Sequence, residues 1–67
     1  MFSPGDLVKT KLATHNGIVT RGGALGVIIG WAASSKGRDL WWVMIDGKRS
    51  HYYLFDHQLT IVSKVNV

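Results

Sequence analysis

The chain has 67 residues, 46% of them apolar and 18% charged, with no Cys and a formal net charge of +4. The absence of Cys excludes a disulfide scaffold and a Cys-ligated zinc site. The longest apolar run, Leu40 to Ile45, is six residues, far short of the ~18 that cross a bilayer as a helix. A length of this order allows one domain, residues 1–67. Such a chain buries only about 60% of the surface its unfolded form exposes, and its core supplies roughly 3–5 kcal/mol. Oligomerisation or a bound partner is therefore an expected source of added stability. The opening residues lack the basic and apolar pattern of a secretory signal, which predicts a cytoplasmic location.

Read in chain order, Ser3-Pro4-Gly5-Asp6 is a turn. Leu7 to Leu12 is the first strand, with partial alternation. Ala13 to Gly23 is a polar, glycine-bearing excursion containing an Asn16-Gly17 turn signal and a short extended piece, Ile18-Val19-Thr20. Ala24 to Trp31 is the second strand. Its Gly26 and Gly30 permit a bend or the close approach of another backbone. Ala32 to Arg38 reads as a polar loop and Leu40 to Asp46 as the third strand. Asp46-Gly47-Lys48 is a hairpin turn and Arg49 to Phe55 the fourth strand. Asp56-His57-Gln58 has the length of one 3₁₀ turn. Leu59 to Ser63 is the fifth strand, and Lys64 to Val67 a loose tail. No window of ten residues holds a helical apolar period.

Five short strands with frequent turns predict an all-β barrel or sandwich, and curling the sheet hides edges that a flat one leaves open. The order of parts resembles the SH3-like small barrel with its KOW and Tudor-like relatives. The resemblance rests on Gly5-Asp6-Leu7-Val8, Gly26-Val27-Ile28-Ile29-Gly30-Trp31, Trp42 to Lys48, and Asp56-His57-Gln58-Leu59-Thr60-Ile61-Val62. It implies a five-stranded SH3-like barrel with one 3₁₀ turn before the last strand. The layout also resembles short proteins of tailed phages, particularly of marine cyanobacteria. That likeness implies an accessory or virion-associated protein, found in the host cytoplasm or the virion.

Alternation puts Trp41, Val43 and Ile45 on one face of the third strand, and Leu40, Trp42 and Met44 on the other. The first set is expected to fill the interior, because in barrels of this kind the residue before the hairpin turn points inward. Trp42 and Met44 then face outward. With Tyr52 or Tyr53 from the fourth strand they are expected to form an apolar patch, since aromatics and Met are enriched where proteins meet partners. The packing alternative is that every one of these aromatics is a cross-strand partner, worth roughly 0.2–1 kcal/mol each.

The basic residues are Lys9, Lys11, Arg21, Lys36, Arg38, Lys48, Arg49 and Lys64. Two functions follow. The first is a non-catalytic module that binds a protein partner or itself through Trp42, Met44 and Tyr52. The second is a nucleic-acid-binding barrel in which Lys36, Arg38, Lys48 and Arg49 meet phosphates around the same aromatics. His15, His51 and His57 match no ligand spacing, and Asp6, Asp39, Asp46 and Asp56 all adjoin turns. Gly22-Gly23-Ala24-Leu25-Gly26 lacks the Gly-Lys-Ser/Thr ending of a phosphate loop. No enzyme activity, cofactor, metal, small-molecule substrate or membrane partner is expected.

Overall fold

The computed structural model describes residues 2–15, 17–45 and 51–65. The strands are β1 (Leu7–Thr10), β2 (Ala13–His15), β3 (Ile18–Thr20), β4 (Leu25–Ser35), β5 (Arg38–Ile45), β6 (His51–Phe55) and β7 (Leu59–Ser63), with a 3₁₀ turn at Asp56–Gln58 before β7. Five of them form one antiparallel sheet in the order β6-β5-β4-β1-β7, and β2 pairs with β3 separately. The all-β class is as expected, and so are the 3₁₀ turn and the closing strand. The Asp46-Gly47-Lys48 turn, with Lys48 and Arg49, lies outside the described residues.

Three stretches differ from their sequence reading. The expected loop Ala32–Arg38 is mostly strand. β4 continues to Ser35, which pairs with Arg38. Lys36 and Gly37 alone make the turn, with φ of 53° and 77°. Positive φ at both central residues is the type I′ geometry whose twist suits a two-residue hairpin. Small residues at Ala32, Ala33, Ser34 and Ser35 look loop-like by composition, but pairing with β5 overrides that preference.

The excursion after β1 is the second difference. It contains a real hairpin, with Ala13 paired to Thr20 and His15 to Ile18. Thr10 ends β1 earlier than expected by gathering the returning chain. Its hydroxyl donates to the Arg21 carbonyl and accepts from Ala24 N–H at 3.0 Å. Its own N–H donates to Ala24 O at 2.8 Å, and its carbonyl accepts from Gly23 N–H at 2.9 Å. The third difference is the tail. Lys64 Nζ donates to Asp6 Oδ2 at 2.8 Å and Val65 N–H to Asp6 Oδ1 at 2.9 Å, so this part of the tail is fastened.

The core joins Val8, Ile28, Trp41, Val43, Leu54 and Leu59, with Phe2 and Ile45 packed against it. Trp41, Val43 and Ile45 thus take the inward phase read from the sequence. Gly26 lies against this core. A Cβ there would stand 2.8 Å from both Val43 Cγ1 and Ile45 Cδ1, and 3.0 Å from Met44 O. Two register shifts in the β4–β5 ladder, between Ile28 and Gly30 and between Trp31 and Ala33, mark β-bulges. Bulges bend a strand and raise its twist, which carries the far half of β4 away from the plane of its first half.

Candidate binding groove

At the turn end of the β4–β5 hairpin a groove of about 490 Å³ is lined by Phe2, Arg38, Asp39, Trp41, Asp56 and His57. Three distant parts of the chain build it. β5 supplies Arg38, Asp39 and Trp41, because the turn at Lys36–Gly37 starts the strand just before them. The 3₁₀ turn supplies Asp56 and His57. Its shape is fixed by Gln58, which is fully buried. Gln58 Oε1 accepts from Phe55 N–H at 2.8 Å, and its carbonyl accepts from Lys11 N–H at 2.9 Å. The N-terminal segment supplies Phe2, whose ring meets Trp41 edge-on at 5.6 Å and 86°. An edge-on pair sets the positive rim of one ring against the negative face of the other.

The electrostatics follow from the register. Leu40 pairs with Phe55 at the end of the β5–β6 ladder, and Asp39 and Asp56, just beyond that pair, both line the groove. Each carboxylate has its own partner. Arg38 Nη1 lies 3.5 Å from Asp56 Oδ1, and His57 Nδ1 lies 3.7 Å from the same oxygen. Asp39 Oδ1 accepts from Ser34 Oγ at 3.0 Å and from the Trp31 indole N–H at 3.3 Å. That last contact ties Trp31, which is 57% exposed, to Asp39 of the groove lining. Trp41 is 5% exposed, and its indole N–H has no hydrogen-bond partner among the described residues. Most buried donors are paired, and this one is an exception.

The residues singled out in the sequence fall as follows. Arg38 lines the groove. Lys36 is exposed in the hairpin turn, two residues before it. Trp42 and Met44 lie on the β5 face opposite the core and are half-buried. Trp42 pairs in register with Gly30 and Tyr53, and Met44 with Val27 and His51. Tyr52 pairs with Val43. Sequence reasoning passed over Phe2 and Trp31 as contact residues and read Asp39, Asp56 and His57 as turn or surface positions. No local pattern marks them, because their meeting depends on the bulges of β4 and the length of the β4–β5 hairpin.

Among the described residues no group of three or more His, Asp or Glu side chains is placed to hold a metal ion. No helix there is long and apolar enough to cross a membrane. No protein-family model matches the chain, and no curated protein or solved structure shows significant similarity to it.

Proposed function

We propose that the chain is a non-catalytic binding module of the SH3-like small-barrel type that takes an extended, basic peptide segment of a protein partner into this groove. The SH3-like reading draws support from the order β6-β5-β4-β1-β7, which sets the last strand beside the first. The bulged central strand and the 3₁₀ turn leading into β7 agree with it.

The observation that carries the function is Trp31. A tryptophan tethered by its indole N–H yet more than half exposed is pre-organised for contact, and tryptophans of this kind dominate binding energy at interfaces. Its ring face suits a cation, and the Asp39 carboxylate, in contact with its indole N–H, attracts one. The Asp39 carboxylate, hydrogen-bonded to Trp31, opposes a phosphate at that ring, which supports protein over nucleic acid. Trp42 and Met44 extend the apolar contact along β5.

The test is selection from a random peptide library against the wild-type chain and Trp31→Ala. The expected result is a wild-type selection enriched in Lys or Arg and lost on Trp31→Ala. Peptides selected equally by both proteins would refute the assignment.

A further inference from the structure

Away from the groove, a second cleft of about 340 Å³ opens beside the β2–β3 hairpin, with Val19, Arg21, Ala24, Ile45 and Leu54 in its lining. It shares no described lining residue with the groove. We propose that this cleft binds a small amphipathic carboxylate, a medium-length alkyl chain ending in one carboxylate group.

The cleft follows from the topology. β2 and β3 pair with each other and are not hydrogen-bonded into the five-stranded sheet. The chain that returns from them is nevertheless anchored to β1. Thr10 Oγ donates to the Arg21 carbonyl and accepts from Ala24 N–H at 3.0 Å, and Gly23 N–H donates to the Thr10 carbonyl at 2.9 Å. The exit of β3 is thus fixed while the strand itself stands off the sheet. The cleft lies between β3, which supplies Val19, and the sheet residues Ile45 of β5 and Leu54 of β6. Its volume falls within the roughly 300–1,000 Å³ of small-ligand sites.

The walls are aliphatic. Leu54 belongs to the core and Ile45 packs against it, so the cleft opens directly onto core side chains. Val19, on the opposite wall, is 64% exposed, second only to Leu12 among the large apolar residues described. An alkyl chain lying between Val19 and Leu54 leaves water for apolar surface, which is worth about four-fold in affinity per buried methylene.

Arg21 is the one charged residue in the described lining. It is exposed and forms no ion pair among the described residues. The described carboxylates are engaged elsewhere, Asp6 with Lys64, Asp56 with Arg38, and Asp39 with Trp31 and Ser34. A guanidinium matches a carboxylate through two parallel hydrogen bonds. Other ligand classes fit less well. An amine would meet Arg21 with no acidic residue in the described lining to balance it. A nucleotide would find no aromatic ring in that lining to stack its base, and its phosphates would lie against aliphatic side chains.

The experiment is a nitrogen-15 NMR titration of the full chain with sodium octanoate, compared with hexanoate, octanol and octylamine. The expected result is saturable shift changes at Val19, Arg21, Ala24, Ile45 and Leu54. Octanoate should bind about 15-fold tighter than hexanoate, at about four-fold per methylene, and octylamine should not bind. Arg21→Gln should weaken octanoate about ten-fold or more, to the level of octanol, and Val19→Ser should weaken it about four-fold or more. Both variants should keep the wild-type thermal midpoint, since both side chains are exposed. Trp31→Ala should bind octanoate as wild type does, which separates this cleft from the groove. The absence of saturable shifts at the cleft residues overturns the proposal. So does equal affinity for octanol and octanoate, or full octanoate affinity in Arg21→Gln.

Discussion

Asp6 has no solvent exposure, yet its carboxylate is held ionised. The Lys64 ammonium hydrogen-bonds it, Val65 N–H and Ser3 N–H donate to it, and together they outweigh the cost of burial. Its pKa is lowered from 3.8 to about 2. A depressed pKa means that the folded state binds the proton less readily than the unfolded chain. The stability this gives is complete above the unfolded value and is lost as pH falls from 3.8 towards 2. Asp6→Asn should therefore lower stability at neutral pH and flatten the acid limb over that window, as read by urea unfolding at stepped pH. Thr10 is the second residue on which local structure turns. Thr10→Val keeps the shape and removes a hydroxyl that serves Arg21 O and Ala24 N–H, which should cost about 1–3 kcal/mol in denaturant unfolding.

The β4–β5 hairpin shows which element-level features the sequence reveals. Gly26 is legible, since a glycine between apolar strand residues signals close approach, and Val43, Ile45 and Met44 do approach it. Gly26→Ala should cost about 1–3 kcal/mol through overpacking, measured as a lowered urea midpoint with an unchanged slope. The hairpin's end is not legible. Lys36-Gly37 lacks the Asn-Gly or Asp-Gly signal of a type I′ turn, and Ala32 to Ser35 carry no strand preference. Lys36 holds a φ of 53°, a conformation that costs a side chain with a Cβ. Lys36→Asn should thus stabilise the protein by about 0.5–1 kcal/mol, visible as a raised thermal midpoint. The bulges that turn β4 depend on pairing across the sheet and leave no mark in composition.

At the scale of the whole molecule, the inward phase of β5 could be read from alternation, whereas the groove could not. Phe2, the start of β5 and the 3₁₀ turn meet only after β4 has bent and β6 has paired with β5. Half-burial of Trp42 and Met44 moves the most accessible of the described aromatic rings to Trp31, one strand away. Because Trp31 is exposed, Trp31→Ala should change folding stability by no more than about 0.5 kcal/mol, while removing ten-fold or more of peptide affinity. That separation of stability from binding distinguishes a contact residue from a packing residue. The most direct test of the binding-module account is a nitrogen-15 NMR titration of the intact chain with a library-selected basic peptide. The account predicts shift changes centred on Phe2, Trp31, Arg38, Asp39, Trp41, Asp56 and His57, absent in Trp31→Ala. Changes confined to other surfaces, with these residues silent, would contradict it.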